Sequence, residues 1–163
     1  LGSNIGNFEP EESIDFLKRI GRCLNTGDKL LLGVDLRKNP DTILKAYDDA
    51  AGVTAAFNLN LLLRINRELG GNFQVEQFRH FALYDPQEGV MKSYLISEVE
   101  QKVYLKSSGK HYVFEAWEAI HTENSHKFTL KQIEEMARHC GFQIDTVYQD
   151  KQNLFADVVL IAS

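Results

Sequence analysis

Cysteine, proline and tryptophan are scarce in this chain, and each scarcity narrows what it can be. Among 163 residues there are 2 cysteines, 3 prolines and 1 tryptophan. Cys23 and Cys140 stand far apart inside helical patterns, with no C-x-x-C or other zinc-type spacing. A reduced, buried pair in a cytoplasmic protein is therefore the expectation. No stretch approaches the ~18 consecutive apolar residues of a membrane-spanning helix, and the start does not read as a signal peptide. Basic residues are outnumbered, 18 against 23 acidic, for a net charge of −5. That balance excludes the basic face needed by a nucleic-acid partner. Low-complexity tracts and internal repeats are absent. What is left, 44% hydrophobic and 25% charged, is the composition of one ordinary globular domain.

The chain opens on LGSNIGN, two glycines around small polar residues. Such a turn lets the backbone take φ > 0 and lets another molecule approach it closely. A helix is expected over EPEESIDFLKRIGRCLN, with Pro10 in its first turn and Glu11 and Glu12 at the positive end of its dipole. KLLLGVDL, Lys29 to Leu36, is apolar nearly throughout, the pattern of a strand buried on both faces of a parallel sheet. Asn39-Pro40 starts a helical stretch, and a hinge is expected near Gly52 before a longer helix that Gly70-Gly71 ends. Val90 to Phe114 reads as two or three antiparallel strands with a turn at Ser107-Ser108-Gly109. Thr129 and Gln132 form a capping box for a helix with an Ile133, Met136, Ala137, Cys140 stripe, ended by Gly141. Two closely linked strands follow, Phe142 to Asp150 and Leu154 to Ser163, and so short a link predicts an antiparallel pair.

These elements read as α/β: the carboxy-terminal half of a doubly wound, Rossmann-like sheet, closed by an antiparallel pair as class I methyltransferases close theirs. Residues 1–36 and 128–163 form the core, and 37–127 a mixed α+β insertion. No strand here is followed by a glycine-rich loop, nor is there an acidic residue some twenty positions later to hold a ribose. The cofactor-binding half of such a fold is expected to lie outside this chain.

Four segments in order carry a closer likeness: LGSNIGNF, AYDDAAGVTAAFNLNLLLRINRELG, FRHFALYD and IHTENSHKFT. Together they resemble the histidine-specific, S-adenosylmethionine-dependent methyltransferases of ergothioneine synthesis, over essentially the whole chain. The resemblance implies successive methylation of the α-amine of histidine, with S-adenosylmethionine as the methyl donor. It implies that Asn7 and Tyr47 bind the substrate carboxylate and that the backbone of Gly2 meets the amine. It assigns the imidazole to Glu123 and Ser125 of the T-E-x-S motif. A carboxylate accepting one ring N–H and a hydroxyl serving the other nitrogen would read both edges of an imidazole.

Two departures stand out. Ser93 occupies a place where the histidine enzymes usually carry methionine beside the imidazole, and Lys92 replaces an acidic residue. They leave room for a tryptophan-like or other amino acid as substrate. An amino-acid-binding module without catalysis is the reading from a different class. His121, Glu123 and His126 do not have metal-ligand spacing, and His126 is expected to be exposed beside Lys127. Asp48 and Asp49 read as surface or capping carboxylates, not a metal pair. No nucleic-acid or membrane partner is expected. An open sheet edge near the first residues predicts self-association or strand exchange, and the chain alone is expected to be inactive.

Overall fold

The computed structural model describes every residue from Leu1 to Ser163. Its helices are α1 (Pro10–Gly21), α2 (Pro40–Tyr47), α3 (Val53–Leu69) and α4 (Leu130–His139). Its strands are β1 (Lys29–Asp35), β2 (Phe78–Asp85), β3 (Val90–Ser97), β4 (Gln101–Leu105), β5 (Lys110–Phe114), β6 (Ala119–His126), β7 (Phe142–Gln149) and β8 (Phe155–Ala162). They fall into two compact units. The first holds Leu1–Asn39, Asp85–Met91 and Asn124–Ser163, and the second Pro40–Tyr84 and Lys92–Glu123.

The first unit is built on a sheet of order β1-β8-β7. Both neighbours of β8 run antiparallel to it, so β1 and β7 point the same way. The predicted antiparallel pair is present as β7 and β8, with a bulge between Ile144 and Thr146. Alternation along β8 buries Ala156, Val158, Leu160 and Ala162, which meet Leu32 and Val34 of β1, Leu17 of α1, and Ile133 and Ala137 of α4. Both helices of this unit thus feed one core. The α4 capping box forms as expected: the Gln132 amide donates to Thr129 Oγ1 and the Thr129 amide to Gln132 Oε1.

Three sequence expectations need correction here. Strand β1 is not buried on both faces, for Leu31 is 52% exposed while its neighbour Leu32 is fully buried. Its continuous apolar run comes from a strand whose second face no helix of this unit covers. Its ladder partner, β8, is antiparallel, although Leu1 pairs across its other edge in parallel fashion. There the Leu1 amino group donates to the Leu31 carbonyl, and the Gly33 amide donates to the Leu1 carbonyl. Second, α1 stops at Gly21, so Cys23 falls beyond the helix and is exposed. Cys140 is buried as expected, and both thiols are free. Third, neither glycine of the opening turn takes a positive φ; the segment Ser3–Asn7 is a turn of 3₁₀ helix. What demands glycine at position 6 is crowding: a Cβ there would stand 2.8 Å from the His126 carbonyl oxygen.

In the second unit α2 and α3 are hinged as expected, with Gly52 left-handed at φ 70° and Gly70 closing α3 at φ 64°. The region from Val90 to Phe114 yields three strands, of which β4 and β5 form an antiparallel hairpin. A second sheet has the order β2-β3-β6. Phe73, Phe78 and Phe114 pack edge-on or tilted on one another beside Leu62 and Leu95. The motif T-E-x-S lies on β6, a strand the sequence pattern did not signal.

Asp49 caps α3, its carboxylate accepting from the amides of Val53 at 2.9 Å and Thr54 at 2.8 Å. Those hydrogen bonds, Thr54 first, hold its pKa at about 2. A lowered folded-state pKa stabilises above the ordinary carboxylate range, and the effect is lost as pH falls toward 2. Asp49→Ala is therefore expected to lower the melting temperature at pH 7. The difference from the parent chain should shrink between pH 4 and pH 2, as thermal melts across that range would check.

Candidate functional site

The six candidate residues divide evenly between the units. Gly2, Asn7 and Ser125 belong to the first, and Tyr47, Ser93 and Glu123 to the second. Gly2 precedes the 3₁₀ turn and is exposed, with no atom of its surroundings within 4 Å of where a Cβ would stand. Its backbone is therefore open to close approach. Asn7 ends the same turn and is exposed. The turn is held from below, where buried Ile5 anchors it and Ser13 Oγ donates to the Ile5 carbonyl at 3.2 Å.

Tyr47 is the last residue of α2 and is half-buried. Its carbonyl lies 2.8 Å from His80 Nε2, while His80 Nδ1 lies 2.9 Å from the Asn58 amide nitrogen. Asn58 Nδ2 is a donor that also reaches the Tyr94 carbonyl, so His80 Nδ1 accepts and Nε2–H donates to Tyr47. His80, engaged through both ring nitrogens, thus fixes the end of α2. Ser93 is buried on β3, and its carbonyl accepts from Thr122 Oγ1 at 3.0 Å, immediately before Glu123 on β6. Glu123 itself is half-buried.

Ser125 is 8% exposed, and its hydroxyl oxygen accepts from Lys127 Nζ at 2.8 Å. Lys127 corrects another expectation. Its side chain is only 1% exposed, and His126 beside it is mostly covered. The Lys127 ammonium pairs with Asp35 Oδ2 at 2.9 Å, and Asp35 Oδ1 takes Lys38 Nζ at 2.5 Å. Backbone bonds fix this cluster from both sides: the Phe128 amide donates to the Asp35 carbonyl and the Lys127 amide to the Gly89 carbonyl. Asp35, Lys38 and Lys127 were not singled out in the sequence. The available signal was spacing, because positions 125 and 127 share one face of an extended segment.

A cavity of about 760 Å³ in the first unit adjoins this cluster, with His126 and Lys127 in its wall. Phe8, Ile14, Phe128 and Met136 line it together with Glu135 and Arg138, and none of the six candidate residues does.

Residues 1–162 match the family described as histidine-specific, SAM-dependent methyltransferases. The chain belongs to that family. It is 42% identical over 133 residues to histidine N-alpha-methyltransferase of Mycolicibacterium smegmatis, covering 82% of this chain and 41% of that protein. It is 41% identical over 128 residues to the enzyme of the same name from Mycobacterium tuberculosis, covering 78% of this chain and 40% of that protein. The chain thus spans about two fifths of the length of these curated relatives. The CcbJ methyltransferase of Streptomyces caelestis superposes with a TM-score of 0.50 at 12% identity, over 99% of this chain and 54% of that one. The α/β fold expected from the sequence, part of a class I methyltransferase sheet, is therefore the fold observed.

The family's methyl donor finds no fitting donor set among these residues. Glycine-rich loops after a strand are absent from the residues of the core sheet.

Burial makes the Asp35–Lys127 pair costly to break from one side, by about 3 kcal/mol, since Asp35 keeps some contact with solvent. Asp35→Leu is expected to lower the unfolding free energy by that amount, seen in chemical denaturation as a lower urea midpoint with an unchanged m-value.

Proposed function

We propose that the protein carrying these residues is an amino-acid N-methyltransferase that acts on the α-amine of histidine, with S-adenosylmethionine supplying the methyl group. The observation that carries this reading is the family match over residues 1–162, together with 42% identity to a histidine N-alpha-methyltransferase. In this reading Asn7 and Tyr47 hold the substrate carboxylate and the open backbone at Gly2 receives the amine. An amide and a phenol grip a carboxylate without adding a net charge that would perturb the amine. Glu123 and Ser125 read the imidazole, and Ser93 lies in its surroundings. A side chain lacking ring nitrogens would leave those polar groups unpaired, which gives the site its selectivity. Support for the rigidity such recognition needs comes from the His80 clamp on Tyr47 and the Lys127 bond to Ser125.

The chemistry asked of this chain is positioning and desolvation, with no covalent intermediate on the protein. The protein is proposed to work in the cytoplasm; no helix is long and apolar enough to cross a membrane. We extend the proposal to self-association of the isolated chain through the β1 edge, where Leu1 and Leu31 are about half exposed.

Methyl transfer from labelled S-adenosylmethionine, assayed with the full-length protein against a panel of amino acids, tests the reading. Histidine should be the preferred acceptor, methylated on its α-nitrogen as read by mass spectrometry and NMR. Preference for tryptophan, or histidine binding without transfer, would overturn it. The 163 residues alone are expected to give no turnover. Asn7→Ala in the full-length protein should raise KM for histidine about tenfold or more, as the loss of a hydrogen bond to a charged group implies.

A further inference from the structure

In the second unit a chain of hydrogen bonds runs from one backbone carbonyl to another through two side chains. It begins at the end of α2, where the carbonyls of the last turn have no partner within the helix. The Tyr47 carbonyl is one of these, and His80 Nε2 on β2 lies 2.8 Å from it. The Ala46 carbonyl beside it takes Thr54 Oγ1 at 3.4 Å. The other ring nitrogen, His80 Nδ1, lies 2.9 Å from Asn58 Nδ2 on α3. Asn58 Nδ2 also reaches the Tyr94 carbonyl on β3, at 3.3 Å.

Both ends of this chain are carbonyls, which only accept, so the order of donors along it is set. The Asn58 amide directs its two hydrogens to Tyr94 and to the His80 ring, and the ring donates onward to Tyr47. Local rules place both side chains. Asn58 stands one helical turn before buried Leu62 on α3, and His80 stands two residues after buried Phe78 on β2. Both therefore border the apolar cluster of Leu62, Phe78 and Leu95. Asn58 is itself buried, where an amide is tolerated only with its hydrogen bonds made.

We propose that His80 and Asn58 are positioning residues that hold the Tyr47 phenol where it meets the substrate carboxylate. The inference rests on the assignment of Tyr47 to the carboxylate made above. A side chain on the last residue of a helix goes wherever that helix end goes. The bond to the Tyr47 carbonyl is directional and fixes the last peptide of α2, which apolar packing, being non-directional, does not. A donor serves a carboxylate fully only when it is already held where the anion will sit. The far end of the chain, Tyr94, adjoins Ser93, so Tyr47 is tied to the strand that carries another candidate residue.

The test measures kcat and KM for histidine in the full-length protein. The parent is compared with His80→Leu, Asn58→Leu, Tyr47→Phe, and each of the first two combined with Tyr47→Phe. Tyr47→Phe should raise KM about tenfold, as the loss of one hydrogen bond to a charged group implies. His80→Leu should raise KM about fivefold and Asn58→Leu about threefold, with kcat within about twofold of the parent, the signature of lost substrate binding. Once Tyr47→Phe is present, neither should raise KM by more than about twofold further, because both act through the phenol. Effects that multiply with Tyr47→Phe, or a fall in kcat at unchanged KM, overturn the proposal and leave the pair structural. An unchanged KM in His80→Leu overturns it as well, and if that variant fails to fold the same comparisons with Asn58→Leu decide. An unchanged KM in Tyr47→Phe overturns the carboxylate assignment and this role together, with transfer to histidine left standing. Absence of any transfer to histidine by the parent overturns the functional reading itself, and this role with it.

Discussion

The chain leaves its core sheet at Arg37 and rejoins it at Phe128, and the first unit depends on how those two points are tied. The Phe128 amide donates to the Asp35 carbonyl, the Arg37 amide donates to the Phe128 carbonyl, and Leu36 and Phe128 form a parallel bridge. Lys127 then locks the junction with its ammonium on Asp35. Closing a loop of some ninety residues costs conformational entropy that grows only slowly with length. A few backbone bonds and one buried ion pair at the neck therefore suffice to hold the excursion, provided they are shielded from water.

Shielding is also what makes the junction demanding. A buried ammonium loses its hydration and must recover it from fixed partners, here a carboxylate and a hydroxyl. Such a pair is a weak source of net stability compared with well-packed apolar groups. It does impose one arrangement, because neither the carboxylate nor the lysine tolerates displacement. Ser125 inherits that order. The residue proposed to face the substrate is thus held by the same bonds that close the insertion, and stability of the neck and definition of the site become one physical matter.

The same economy appears at the other candidate residues. The 3₁₀ turn bearing Gly2 and Asn7 is pinned by buried Ile5, by Ser13 and by the close passage of Gly6 under the His126 carbonyl. Tyr47 ends a helix whose last carbonyl is clamped by His80. At the opening turn, exposed Asn7 sits two residues from buried Ile5. A backbone fixed in this way can meet a small polar ligand without reorganisation.

Much of the architecture was legible because it rests on local rules. The Thr129 capping box, the Gly52 hinge, the antiparallel closing strands and the Asp49 cap all follow from residues within a few positions of one another. The motif segments were legible as well, and with them the family. Other features were not, because they join residues distant in the chain. The run Lys29 to Leu36 has the same composition whether one or two faces are covered, so only the packed sheet decided that Leu31 would be half exposed. Cys23 depended on where α1 stopped, which the apolar stripe overran. Lys127 looks like a surface lysine in any sequence window. Its burial required Asp35, some ninety positions earlier, to arrive at the same place, and an ion pair across that distance is written in tertiary structure alone.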